Sequence, residues 1–257
     1  MSLLSIKHLS VAVKNHTLLD NINVELAAGQ VMSIIGPNGA GKSTLLAAIA
    51  GDIAYSGDIS LKGISNKNPE RARQMAVLPQ LSVLSFPFTV SEVVGLARIP
   101  HATGKQKDAA IVQAALELVD IGFLAHRLYT ELSGGEKQRV QLARVFAQIW
   151  QHQCADNAPR LLLLDEPTTA LDLGHQQLLM QAIRQQTANG LTVIMVLHDL
   201  NLAARYSDKL LAVLCSQQVA FGCPDSVISA DNINRLFDIN ATILPHPEDG
   251  VPIVTGI

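Results

Sequence analysis

Gly36, Gly39 and Gly41, followed by Lys42 and Ser43, stand within the eight residues GPNGAGKS. This is the spacing G-x-x-x-x-G-K-[ST]. Chemistry on a polyphosphate needs backbone N–H groups brought close to phosphate oxygens, and glycine permits that approach where a Cβ would intrude. The run Gly36, Pro37, Asn38, Gly39, Ala40, Gly41 therefore reads as a cradle, with Lys42, Ser43 and Thr44 opening the helix behind it. The dipole of that helix points at the same anion. Lys42 suits the β- and γ-phosphates, and the Ser43 hydroxyl suits Mg²⁺.

Further groups fit the same chemistry. Asp165 and Glu166 follow four consecutive leucines, Leu161–Leu164, so both acids emerge at the C-terminal end of a buried strand, where α/β sheets bind ligands. Asp165 is placed for Mg²⁺ and Glu166 for polarising an attacking water. An acidic pair at a strand end is by itself an ordinary solvated turn; beside a phosphate cradle it reads as catalytic. Ser133 and Glu136 make the pattern S-x-x-E of a capping box. Gly134 and Gly135 lie between them, costing helix stability and baring amides, which suits a second anion site. His198 follows another apolar strand and is a candidate γ-phosphate sensor, with Asp199 as the N-cap of the next helix. Gln80, after Leu78 and Pro79, reads as a polar loop residue.

The elements that must position these groups follow from periodicity. Alternating segments Ser5–Val13 and Asn21–Leu26 and the continuous apolar run Val31–Ile35 read as strands, with short strands at Gly57–Leu61 and Met75–Leu78. Helical spacing dominates residues 90–98, 106–120 and 134–151, and the polar run 152–160 reads as a loop. Strands Leu161–Leu164 and Leu191–Leu197 flank a helix over Gln176–Gln185, an alternation that implies parallel pairing and right-handed crossovers. Strands and short helices end the chain, interrupted by prolines at 224, 245, 247 and 252. The expected architecture is an α/β core with an all-helical insert over about 85–155.

Composition narrows the class. The 257 residues carry 19 basic and 22 acidic side chains, a net charge of −3, so no basic excess exists for wrapping a nucleic acid. Charged residues make up 16% against 48% hydrophobic, which excludes a disordered chain. No apolar run approaches the roughly 18 residues of a membrane span. The three cysteines, Cys154, Cys215 and Cys223, show no C-x-x-C spacing and read as reduced thiols. The N-terminal segment lacks the pattern of a secretory signal.

Together these residues resemble the nucleotide-binding subunit of ABC transporters over essentially the whole chain. Residues 36–44 correspond to Walker A, 161–166 to Walker B, and LSGGE at 132–136 to the signature that separates this family from other P-loop ATPases. The resemblance implies a P-loop NTPase (RecA-like) core with an N-terminal antiparallel β-subdomain and an inserted helical subdomain. The single domain would span 1–257, its core formed by about 1–84 and 159–257 and its insert by about 85–158. It makes Gln80 the Q-loop glutamine, a catalytic residue and a ligand of Mg²⁺, Ala170-Leu171-Asp172 the D-loop and His198 the switch histidine. ATP and Mg²⁺ are the implied cofactors. The implied assembly is a head-to-tail homodimer, each ATP lying between one P-loop and the signature residues Ser133, Gly134 and Gly135 of the other subunit. It sits under two membrane-spanning permease subunits at the cytoplasmic face of the inner membrane, with a periplasmic binding protein acting indirectly and no nucleic acid involved.

One position departs from the family pattern. An aromatic residue usually stacks on adenine after the first strand, whereas Val13 stands there and no Phe, Tyr or Trp precedes Tyr55. Stacking by His16 or a plain apolar contact from Val13 is left to hold the base. The short helical insert and the segment 198–208 are similar to importers of iron-siderophores, haem and cobalamin, and within that group the segments 78–101 and 151–160 are most similar to haem importers; those other cargoes and a soluble, non-transport ABC ATPase are the alternatives. Phe86, Pro87, Phe88 and Val90 either line a docking groove for the permease or pack the insert on the core.

Overall fold

The computed structural model describes residues 2–14, 16–80, 86–150 and 158–256. The chain divides into two compact units, residues 1–62 with 192–257, and residues 63–191.

The first unit opens with β1 (Ser2–Val13), β2 (His16–Ala27), β3 (Val31–Ile35), α1 (Lys42–Ala50) and β4 (Ser56–Leu61). β1 pairs antiparallel with both β2 and β4, forming the expected N-terminal antiparallel part. Leu4 and Ile6 are buried on one parity of β1 and Leu9 and Val11 on the other. The change of parity falls at His8, whose φ is +51° and where the register with β2 shifts. A bulge there returns the apolar side chains to the core face. β2 begins five residues before the alternation Asn21–Leu26 suggested, because its first half, exposed apart from Leu18 and Leu19, is held by the hairpin with β1.

The second unit contains α2 (Glu70–Gln74), β5 (Met75–Leu78), α3 (Val90–Gly95), α4 (Lys105–Leu118), α5 (Gly134–Gln148), β6 (Arg160–Leu164) and α6 (Leu173–Ala188). β5 and β6 are parallel, with Leu78 opposite Leu164. Every residue of β6 is buried. Its first, Arg160, satisfies its guanidinium by donating to the carbonyls of Ile149 and Asn189 at 3.1 and 2.7 Å. Between β5 and β6 the regular elements among the described residues are all helices, beside an isolated bridge from Thr89 to Leu128, as the periodicity predicts. The predicted loop over 152–160 lies mostly outside the described residues, as does Cys154.

The chain returns through β7 (Leu191–Val196) to the first unit, adding α7 (Leu200–Tyr206), β8 (Lys209–Leu214), β9 (Gln217–Gly222), α8 (Pro224–Val227), α9 (Ala230–Phe237), β10 (Thr242–Pro245) and β11 (Pro252–Thr255). The strand order within this unit is β4-β1-β2-β9-β8-β3-β7. β3 lies between β8 and β7 and is parallel to both. All five of its residues are buried, the pattern of a strand covered on both faces. The fold is α/β, as expected, and no helix among the described residues is long and apolar enough to cross a membrane.

Candidate functional site

The glycine loop leaves the buried end of β3, and its glycines are demanded by the local geometry. Gly36 has φ +146°, and a Cβ there would stand 2.0 Å from the Val213 carbonyl oxygen. Gly41 has φ +104°, and its Cβ would stand 2.5 Å from the Leu18 carbonyl oxygen. The loop is thus pressed against β8 on one side and β2 on the other. Lys42 is buried, with 6% of its surface exposed, and its Nζ donates to the Gly36 and Pro37 carbonyls at 2.8 Å each. The loop thereby holds its cation folded against itself. Helix α1 starts at Gly41 with no side-chain cap and no acid in its first turn. Its leading amides lack intrahelical acceptors by geometry, so this end carries positive potential for an anion. Asn38, Gly39 and Ser43 are exposed, while Ala40 is buried.

His198 belongs to the same edge. Ile34 of β3 pairs with Val196 of β7, and the Leu197 amide donates to the Ile34 carbonyl at 3.2 Å. His198 and Gly36 therefore emerge two residues beyond one paired position. His198 is exposed, and Asp199 caps α7, accepting from the Asn201 and Leu202 amides at 2.8 and 2.9 Å. At the other end of the loop, Val13 ends β1 opposite His16. Val13 is 55% exposed. Because Leu18 abuts Gly41, this hairpin end lies two residues along β2 from the loop.

The second unit gathers Gln80, Asp165 and Glu166. The Asp165 amide donates to the Leu78 carbonyl at 2.9 Å, so the residues that follow β5 and β6 leave from one sheet edge. Asp165 is buried, Glu166 partly so, and Gln80 exposed. Glu166 has φ +51°, a left-handed conformation uncommon for a residue with a side chain. Thr169 braces it, its amide donating to the Glu166 carbonyl at 3.2 Å and its hydroxyl to the carboxylate at 3.4 Å. Among the described residues no three His, Cys, Asp or Glu side chains gather as a metal cluster. Within this unit the oxygen donors are the Asp165 carboxylate and the Gln80 amide oxygen, and the first unit by itself offers the Ser43 hydroxyl beside its glycine loop. Oxygen donors of this kind are the chemistry of Mg²⁺ carried in with phosphates.

The predicted capping box is present at α5. The Ser133 amide and hydroxyl donate to the Glu136 carboxylate at 2.8 and 2.7 Å, and the Glu136 amide donates back to the Ser133 hydroxyl at 3.4 Å. Those bonds, the hydroxyl's first, hold the Glu136 carboxyl below the usual carboxylate range. Around Gly134 nothing lies within 4 Å of a built Cβ, whereas at Gly135 the Ala170 carbonyl oxygen lies 2.7 Å away. The second glycine thus has a packing reason in addition to any contact with an anion. Asp172 caps α6, and bonds from the His175 amide and ring keep its carboxyl below the ordinary range.

Two sets of polar residues escape sequence reading. Arg98 is buried, pairs with Asp108 at 2.9 Å and donates to the Ala147 carbonyl at 2.7 Å. His101 Nε2 donates to the Gln148 carbonyl at 2.6 Å. Together they complete the C-terminal end of α5. Burial pushes the His101 pKa down, and the neighbouring Arg98 charge adds to this. The second set joins Arg139 and His175 around Asp120: Arg139 donates to the Asp120 carbonyl, and His175 Nε2 stands 3.9 Å from its carboxylate. Partners tens of residues apart leave no periodic signal.

Phe86 and Phe88 are exposed, at 66% and 37%, and their rings lie 6.2 Å apart. Val90 is fully buried and so belongs to the packing of the insert, not to a docking surface. Nearby, a groove of about 830 Å³ runs between α3 and α4, lined by Ser91, Glu92, Gly95, Ile99, Lys105 and Val112 among others.

Comparison with known proteins agrees with this geometry. Residues 19–169 match the ABC transporter family. The chain is 46% identical over 256 residues to the "Hemin import ATP-binding protein HmuV" of Pseudomonas entomophila, covering 98% of this chain and 99% of that one. The protein of the same name from Plesiomonas shigelloides is 43% identical over 256 residues, covering 95% and 98%. A solved metal-chelate type ABC transporter in an inward-facing conformation superposes with a TM-score of 0.80 at 25% identity, over 99% of this chain and 96% of that one. The phosphate cradle and the signature turn both fall within the family match, and the relative and the fold match run nearly the full length of the chain. The chain belongs to the ABC transporter family, as an ATP-binding cassette whose hydrolysis of ATP is coupled to transport.

Proposed function

We propose that this cassette is the energy-coupling subunit of a haem importer, a single ATPase domain over 1–257 with its core at about 1–84 and 159–257 and its helical insert at about 85–158. It works as a head-to-tail homodimer beneath two permease subunits, at the cytoplasmic face of the inner membrane, with a periplasmic binding protein delivering cargo. The observation that carries this reading is 46% identity across nearly the whole length of a hemin import ATP-binding protein. Likeness to a metal-chelate type transporter supports the same cargo class, since haem is an iron chelate.

In this reading the loop amides and the N-terminus of α1 hold the triphosphate and Lys42 meets its outer phosphates. Ser43, Asp165 and Gln80 hold Mg²⁺, which supplies charge neutralisation when bound. Glu166 takes the role of general base toward the attacking water, and His198 donates to the γ-phosphate. The twin subunit's nucleotide meets Ser133, Gly134 and Gly135. Val13 and His16 border the base. The exposed Phe86 and Phe88 and the nearby groove offer the permease an apolar seat.

The test is reconstitution of the cassette with its permease and binding protein, followed by ATPase assays with haem, a ferric siderophore or cobalamin. Stimulation by haem alone is expected. Stimulation only by another cargo would overturn the haem assignment, and turnover indifferent to the permease would overturn the importer reading. Glu166→Gln should keep ATP binding while lowering turnover by a factor on the order of 10² or more.

A further inference from the structure

The glycine loop lies between two strands of the first unit, and one turn ties those strands together. A Cβ on Gly36 would stand 2.0 Å from the Val213 carbonyl oxygen of β8, and a Cβ on Gly41 would stand 2.5 Å from the Leu18 carbonyl oxygen of β2. β8 runs into β9 through the two-residue turn Cys215 and Ser216, since Leu214 pairs with Gln217. Both turn residues have positive φ, +47° and +69°, a hairpin conformation that favours asparagine and glycine. A serine holds it only where its surroundings impose it. Here they do: the Ser216 hydroxyl donates to the Thr17 carbonyl at 3.0 Å, and the Ser216 carbonyl accepts from the Asp20 amide at 2.7 Å. These two bonds bracket Leu18 and Leu19, the residues that lie against Gly41. The strand beside Gly36 and the strand beside Gly41 are thus joined through Ser216.

We propose that Ser216 is a positioning residue for nucleotide binding, its hydroxyl fixing the spacing of the two strands that confine the glycine loop. The inference rests on the reading above, in which that loop holds the triphosphate of ATP. Amides bind an anion best when they converge on it before it arrives. With β2 tied to the turn, Gly36 and Gly41 keep their places and little ordering is left for the ligand to supply. Without the hydroxyl, β2 can draw away from Gly41 and the loop is slack for part of the time. Apparent affinity then falls by the fraction of molecules that remain closed. Turnover of bound ATP is unaffected, because the loop has closed by then.

The experiment measures ATP binding by titration calorimetry with Mg²⁺, and steady-state ATPase, on the full chain and on Ser216→Gly and Ser216→Asn. Glycine suits the left-handed turn and keeps the carbonyl bond to Asp20, so it removes the hydroxyl alone. Asparagine also tolerates that conformation and brings an amide donor for the Thr17 carbonyl. The expected result for Ser216→Gly is a Tm close to the parent's, with Kd and KM for ATP raised about three- to tenfold, the scale of one lost hydrogen bond. Its kcat is unchanged, and Ser216→Asn recovers most of the affinity. Parental affinity in Ser216→Gly overturns the proposal, and so does a lower kcat at parental KM. Affinity equally weak in both variants overturns it too, because the turn and not the bond would then be responsible. Lys42→Ala serves as the reference. Parental ATP affinity in that variant would instead sink the reading of the loop as the triphosphate site, a result separate from either Ser216 outcome.

Discussion

Adjacent glycines of one helical turn should respond oppositely to the same substitution. Gly134 and Gly135 are the first two residues of α5. Replacing a helical glycine by alanine reduces the freedom of the unfolded chain and is worth roughly 0.5–1 kcal/mol where space allows. At Gly134 it does, since nothing lies within 4 Å of the new methyl. At Gly135 the methyl would meet the Ala170 carbonyl oxygen at 2.7 Å, and this backbone atom must retreat by about 0.7 Å to reach ordinary contact. Such overpacking costs about 1–3 kcal/mol, which outweighs the propensity gain. For a chain of this size, about 1 kcal/mol moves Tm by roughly 2–4 °C. Thermal unfolding without nucleotide should therefore show Gly134→Ala up by about 1–4 °C and Gly135→Ala down by about 2–6 °C. Equal shifts, or a Gly135→Ala protein as stable as Gly134→Ala, would refute the close approach of this turn to the loop after Glu166.

Three other outcomes follow from the same geometry. Lys42→Ala removes a buried cation and leaves the Gly36 and Pro37 carbonyls without their donor; ATP affinity by titration calorimetry should fall at least tenfold, a loss of about 1.4 kcal/mol. Val13→Tyr adds a ring at the exposed end of β1; if the base lies there, a stacking gain of about 1–3 kcal/mol should tighten ATP binding about tenfold, and unchanged affinity would remove Val13 from the base site. His101 has a lowered pKa in the folded protein, so the folded chain favours its neutral form. Above the unfolded value of about 6.5 nothing changes; as pH falls through it the unfolded chain gains the proton first, and stability is lost down to the folded value. Tm measured between pH 7.5 and 5.5 should fall less steeply in His101→Gln, which removes the titrating group and can keep a donor to Gln148.

How far the sequence carries the reader depends on how local each cause is. The phosphate cradle, the four-leucine strand and the Ser133–Glu136 box are each contained in a few consecutive residues, so type and spacing reveal them before any fold is known. α6 begins at Leu173, earlier than the stripe from Gln176 suggests, because Asp172 caps it through the His175 amide. The five-residue α2 carries too little periodicity to be seen, and none of its residues is buried. Val90 reads as loop surface only until its burial is known. The carbonyls that Arg98, His101, Gln138 and Arg139 find lie outside any sequence window. Long-range pairing of polar groups is the part of the site that only the folded chain displays.

The bare start of α1 has a consequence for the life of the protein between turnovers. With neither acid nor capping side chain in its first turn, this helix is a structural element whose last component is diffusible. Any anion that binds the folded loop and not the unfolded chain shifts the folding equilibrium by mass action, by about 2.7 kcal/mol at a hundredfold excess over Kd. The surrounding ATP supply is then a determinant of how long the cassette survives, and not only of how fast it works. Energy starvation would leave it both idle and closer to unfolding.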